Sequence, residues 1–285
     1  MKPNLLRIYI NGVGICGPGL SDWPSAQAVL THKNPYQADT PEPGPVTELP
    51  AAERRRVGTL VKLAFAAGRQ ALHHAQTRGD TLQNVFTSSS GDGDNCNELF
   101  ATLAGADRQI SPTRFHNSVH NAAAGYWSIA QACTASSTSL CAHDGSFCAG
   151  LLEAVGLTLA HQRPTLLVSY DCPYPEPLFS ARPVQGTLGI ALIVAPEPGP
   201  HTLCGLTLQW TPVESVAPTS LAIPEIEALR QHNPTGRGLP LLELLARPDS
   251  LDRRSVELDY LPGCPVRITR IDSPSFSGAK ADSPP

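Results

Sequence analysis

Charge is scarce in this chain. Of 285 residues, 16% are Asp, Glu, Lys or Arg, and 25 acids against 21 bases leave a net charge of −4. No basic run stands out. Arg54-Arg55-Arg56 is the densest cluster, and it opens a helix-like stretch, where it reads as a solvated helix face. That composition gives no electrostatic basis for binding nucleic acid. Long apolar runs are missing too. Phe147 to Ala160 is the best of them, but it is short and carries Glu153, so it reads as a buried core helix and not a membrane span. Asn4, Arg7 and Asn11 interrupt any apolar leader, which makes a cytoplasmic protein the expectation. The eight cysteines (Cys16, Cys96, Cys133, Cys141, Cys148, Cys172, Cys204 and Cys264) contain no Cys-x-x-Cys pair. They read as reduced core thiols, not as a disulfide frame or a metal site.

Proline is missing from one block. The chain has 28, about double ordinary usage. Eight lie in residues 1–50, nineteen in 164–285, and only Pro112 between Ala51 and Arg163. Proline breaks helix interiors and central strands, so regular buried structure should concentrate in the middle.

Leu6 to Cys16 reads as a strand ending in a glycine-rich turn, followed by a proline-laden loop through Pro50. Apolar residues at helical spacing predict a helix from Glu53 to Arg78, with Gly79 as its stop. Asn84 to Ser88 reads as a strand, Asn95 to Ala104 as a short helix and Ser118 to Ala132 as a longer one. Thr138 to His143 reads as a buried strand and Gly145 to His161 as a buried helix, with further strands at Thr165–Tyr170 and Gly189–Ala195. The alternation predicts a layered α/β domain. Past Pro196, strands are expected at Leu203–Trp210, Val256–Tyr260 and Val266–Ile271, and helical pieces at Pro224–Gln231 and Leu239–Leu245.

Three clusters carry possible chemistry. His143-Asp144-Gly145-Ser146 has the side-chain types of a hydrolase triad, but consecutive residues point apart, and no Gly-x-Ser-x-Gly elbow is present. Asp144 reads better as a cap on the following helix. Asp92-Gly93-Asp94-Asn95 hints at a calcium loop, yet its sixth and twelfth positions would be Asn97 and Leu103, which excludes an EF-hand. His116 and His120, four apart, would share a helical face; without a third ligand they read as hydrogen-bonding histidines at a packed surface. No metal and no cofactor is expected.

Ser111-Pro112-Thr113-Arg114-Phe115, then Ser118-Val119-His120-Asn121-Ala122-Ala123-Ala124-Gly125, resembles the segment that precedes the nucleophile in β-ketoacyl synthases of the thiolase fold. In that family a proline-containing loop enters an Asn-x-x-x-Gly helix. Val85–Ser88 before Gly91, Thr138–Ala154, Thr165–Asp171 and Gly186–Ala195 resemble its later strands and helices, so the likeness covers about residues 5–196. Counted from Gly125 without a gap, the family's nucleophilic cysteine falls on Asp144. A ketosynthase needs a thiolate there, at a helix N-terminus that lowers the thiol pKa. A carboxylate is a poor acyl acceptor and would repel the oxyanion. Only about ninety residues follow Ala195, where the family's C-terminal repeat would supply its histidines.

The resemblance therefore implies a layered α/β, thiolase-like half-fold over residues 1–200. A shortened proline-rich segment over 201–272 would pack on it, before a disordered tail over 273–285. It points to the chain-length-factor branch, and within it to the small ketosynthase-like proteins of aryl polyene (xanthomonadin-type) clusters. Such a chain would pair with a full-length β-ketoacyl synthase as a heterodimer, meeting acyl carrier protein only indirectly. Phe115, His116, Val119, His120, Asn121 and Trp127 would line the interface or the partner's acyl tunnel. Two other readings stay open. One is a stand-alone acyl hydrolase or decarboxylase using Asp144 with His143 or His116. The other is an inactive scaffold that binds acyl carrier protein.

Overall fold

The computed structural model describes residues 5–210, 216–247 and 254–271, so the tail expected at 273–285 lies outside the described residues. Strand β1 (Leu6–Cys16) places Ile8 and Ile10, then Val13 and Ile15, in one apolar cluster. Their change of parity coincides with a register shift between Ile10 and Gly12. One extra residue there keeps all four side chains on the same face of the sheet.

The proline-laden segment through Pro50 was expected to be all loop, but it holds a helix, α1 (Trp23–Leu30). Asp22 caps it, accepting from the Ser25 amide at 2.8 Å, and Pro24 sits in the first turn, where a missing N–H loses no bond. The helix expected from Glu53 to Arg78 is two pieces. One-turn α2 (Ala51–Arg54) breaks off, and α3 (Thr59–His74) restarts after Gly58. It stops short of Gly79 because Gln76 turns left-handed, with φ 48°, and ends the helix. Then come β2 (Gln83–Thr87) and α4 (Gly93–Ala104). A short helix, α5 (Pro112–Asn117), follows where none was expected, and the helix expected from Ser118 to Ala132 is α6 (Ala122–Gln131), which begins four residues late. Next are β3 (Ser137–Leu140), α7 (Ser146–His161), β4 (Thr165–Asp171), α8 (Leu178–Ala181) and β5 (Leu188–Ala195). Beyond these lie β6 (Cys204–Trp210), α9 (Pro224–His232), α10 (Leu239–Ala246), β7 (Ser255–Leu261) and β8 (Cys264–Ile271).

Among the described residues the strands form an eight-stranded sheet in the order β3-β2-β4-β5-β1-β6-β8-β7. β2 runs parallel to β3 and β4, while β5 is antiparallel to both β4 and β1. β3 was expected to be buried; it is instead an edge strand, with Ser137 exposed and the next three residues half-buried. One core joins α3 and α6 to Phe86, Leu166, Val168 and Tyr170. The other joins α1, α7 and α10 to Val85, Leu167 and Ile190. β4 supplies alternate residues to each, as a strand buried on both faces must. Against α3, Gly12 and Gly14 carry the close approach: a Cβ at either would collide with the carbonyl oxygen of Ala71 or Ala67.

The C-terminal strands extend this same sheet, with β6 beside β1, β8 beside β6 and β7 outermost. The β7–β8 hairpin turns at Pro262-Gly263, where Gly263 has φ 69° and proline precedes it, as a type II turn requires. Among the described residues no helix is long and apolar enough to cross a membrane.

Candidate functional site

Because β2, β3 and β4 are parallel, their carboxyl ends gather at one edge of the sheet, the usual place for a site in such folds. There the chain enters α7 through a 3-10 turn, His143–Gly145, in which His143 is left-handed with φ 52°. The helix end is closed by Ser146: its Oγ accepts from the Ala142 amide at 3.0 Å and donates to the His143 carbonyl at 2.6 Å. Asp144 is therefore not the cap its position suggests. The short Ser146 side chain doubles back on the turn and leaves the carboxylate directed elsewhere.

That carboxylate is held by two arginines. Arg182 Nη2 donates to Oδ1 at 2.6 Å, and Arg237 Nη2 lies 3.4 Å from Oδ2, with His143 Nδ1 3.4 Å from Oδ1. Each arginine has a second anchor. Arg182 Nη1 donates to the Tyr174 hydroxyl at 2.9 Å, itself 3.1 Å from Ser89 Oγ, and Arg237 Nη1 pairs with Asp259 at 3.1 Å. The network thus runs from the end of β2, through the loop after β4, to β7. Burial raises the Asp144 pKa, but the Arg182 hydrogen bond and the charges of Arg182, Arg237 and His143 outweigh it and hold the carboxyl below the ordinary aspartate value.

Beneath it, Asp171 ends β4 fully buried. Its Oδ1 accepts from the Ser89 amide at 2.8 Å and from Ser88 Oγ at 3.2 Å, and its Oδ2 accepts from Thr235 Oγ1 at 2.8 Å. Burial still prevails and raises its pKa. No thiol sits in the turn. Cys141, expected in the core, is exposed at the end of β3, its Sγ 2.8 Å from the Ser89 carbonyl oxygen. Cys148 is buried in the first turn of α7, and burial pushes its thiol pKa far up. Gly145 meanwhile packs against the main chain and ring of Tyr260 on β7.

The residues singled out between Phe115 and Trp127 separate into three environments. Phe115, 66% exposed on α5, and Val119, 52% exposed in the turn after it, face outward. His116 and His120 do not share a helix, because α5 ends at Asn117. His116 meets the Tyr126 ring edge-on at 6.1 Å, whereas His120 Nε2 reaches the Ser88 carbonyl oxygen at 3.2 Å. Asn121 stands at the start of α6 without a capping bond. Trp127 is 0% exposed, between Phe65 and Phe86, so it is a core residue and lines no surface. Beside α5, a cavity of about 770 Å3 lies between the loops that follow β2 and β4, with Asp92, Asn95, Arg114 and Tyr174 on its walls. Among the described residues no group of three or more His, Cys, Asp or Glu is placed to hold a metal ion.

A family model for the N-terminal domain of β-ketoacyl synthases matches residues 22–236, three-quarters of the chain. The chain belongs to the β-ketoacyl synthase family. Its fold matches solved members. The ketosynthase ApeO in complex with its chain length factor ApeC from Xenorhabdus doucetiae matches with TM-score 0.69 at 22% identity, over 93% of this chain and 100% of that chain. The ishigamide ketosynthase/chain length factor matches with TM-score 0.69 at 13% identity, over 94% and 99%. The ketosynthase from module 6 of the bacillaene synthase of Bacillus subtilis matches with TM-score 0.54 at 11% identity, over 79% of this chain but 45% of that one. No curated protein matches the sequence. In this member of the family, sequence reasoning found the turn at Asp144 but missed Arg182, Arg237, Asp259 and Tyr174. They carry no motif, and Arg182 alone is 38 residues from Asp144.

Proposed function

We propose that this chain is a non-catalytic β-ketoacyl synthase subunit of the chain-length-factor type. It pairs with a full-length ketosynthase in fatty acid or polyketide biosynthesis, of the aryl polyene kind, and helps shape the partner's acyl tunnel. One observation carries the reading: the turn into α7 holds no thiol, and its carboxylate is tied to Arg182 and Arg237. Condensation needs a thiolate nucleophile beside free helix-terminal amides. Here the nearest thiols, Cys141 and Cys148, lie outside the turn, and Tyr260 packs on Gly145. An ionised carboxylate locked between guanidinium groups also makes a poor general base, which weighs against a stand-alone hydrolase or decarboxylase.

Pairing is supported by the surface. The edge strand β3 carries no proline, lysine or bulge to guard it. The exposed apolar residues Phe115 and Val119 on or after α5, Phe100 and Leu103 on α4, and Ile129 on α6 give the molecule apolar area to cover. Of the earlier tunnel candidates, Phe115, His116, Val119 and Asn121 are exposed, Phe115 and Val119 being the apolar pair, and His120 joins that segment to the Ser88 loop.

Co-expression with the ketosynthase encoded nearby tests the reading. A stable heterodimer is expected, together with no turnover of acyl carrier substrates by this chain alone. Turnover by the isolated chain, lost in Asp144→Ala, would replace the subunit reading with the enzyme reading.

A further inference from the structure

Arg182 follows α8 and Arg237 lies in the 3-10 turn ahead of α10, so two separate segments deliver guanidinium groups to one carboxylate. Both are held from behind. Tyr174 takes Arg182 Nη1 at 2.9 Å and lies under its guanidinium at 5.7 Å, and Asp259 takes Arg237 Nη1 at 3.1 Å. The Nη2 groups are thereby aimed at the position of the Asp144 carboxylate whether or not that carboxylate is present. We propose that Arg182 and Arg237 form a binding site for a carboxylate group, filled in the native chain by Asp144 itself and open to an acid-bearing ligand once that side chain is gone.

Three physical points carry this. Guanidinium stays protonated in proteins, so removing Asp144 leaves two cations with Asp259 as the remaining carboxylate of the network. Both arginine side chains are mostly buried, 26% and 17% exposed, so the charge left without Asp144 favours an anion in its place. One Nη2 group faces each carboxylate oxygen, a spacing that matches the two-oxygen geometry of a carboxylate better than a spherical halide. Solvent reaches the place, because the Asp144 side chain is 44% exposed. The ligand class is a small carboxylic acid or the acid end of a longer chain. The proposal concerns these cations alone and does not depend on the subunit reading.

Thermal unfolding of the full chain tests it. Asp144→Ala is melted with sodium formate or acetate titrated against sodium chloride at matched ionic strength. The carboxylate salts are expected to restore most of the lost melting temperature in a saturable way, with chloride far weaker, as a site that binds the folded state requires. The native chain and Asp144→Asn, whose side chain still fills the place, are expected not to respond. Adding Arg182→Gln to Asp144→Ala should abolish the recovery. If Asp144→Ala fails to fold without ligand, its refolding yield in formate against chloride is read in the same way. Equal effects of formate and chloride, or a recovery that survives Arg182→Gln, would overturn the proposal.

Discussion

Asp144 and Glu227 are two carboxylates whose charge stabilises the fold, and both make pH-dependent predictions. Glu227 accepts from Arg230 Nε at 2.8 Å and Nη2 at 2.6 Å, from the Leu221 amide at 2.9 Å and from Gln231 at 2.7 Å. The Arg230 hydrogen bonds lead in lowering its pKa from 4.5 to about 2. A depressed acid contributes stability above its unfolded pKa and loses it as pH falls through the folded one. Glu227→Gln should therefore lower stability at neutral pH by about 1–3 kcal/mol, the worth of hydrogen bonds to a charged group. In urea titrations it should also flatten the acid limb between pH 4.5 and about 2. Asp144, also lowered, has the same sign: its contribution is present above the ordinary aspartate value of 3.8 and fades below it. Since its side chain is nearly half exposed, solvent screens the pairing, and Asp144→Ala should cost only about 1 kcal/mol at neutral pH. Asp144→Cys should form no acyl-enzyme detectable by mass spectrometry, because Tyr260 packs on the turn, even though Arg182 and Arg237 would favour the thiolate.

At the scale of elements, α3 lies against β1 because Gly12 and Gly14 present no side chain to it. Gly14→Ala should destabilise the fold by about 1–3 kcal/mol through overpacking. Gly125→Ala, in α6 where no atom lies within 4 Å of the added methyl, should stabilise it by about 0.5–1 kcal/mol. Equilibrium unfolding measures both. Elements with strong periodicity were legible in the sequence. β1 is read to the residue, and α7 and β4 to within one, since long apolar runs bounded by turn residues leave few alternatives. What escaped had subtler signals. α1 hid behind Pro24, although Asp22 two residues earlier is a capping signal, and the restart at Gly58 was masked by apolar spacing that continues across it. The cap at Asp144 failed because Ser146, two residues on, competed for the same turn. The arginines that claim Asp144 come from distant segments, and only the fold brings them together.

For the whole molecule, the last three described strands are part of the main sheet. β6, β8 and β7 extend it, and Asp259 and Tyr260 of β7 reach the turn at Asp144. The turn at Asp144 is thus covered by the β7–β8 hairpin, while the β3 edge lies at the opposite end of the sheet order. Expressed alone, the chain should be poorly soluble or self-associated, because Phe100, Phe115, Val119 and Ile129 are left in water. In the complex, Phe115→Ala and Val119→Phe should change product length without dissociating the subunits, as mass spectrometry of the released acyl chains would record. Co-purification tests the central claim most directly. Tagged chain and untagged ketosynthase from the same cluster are expressed together and run by size exclusion. The account predicts one peak holding both chains in equal amounts; a tagged chain that elutes without the ketosynthase would contradict it.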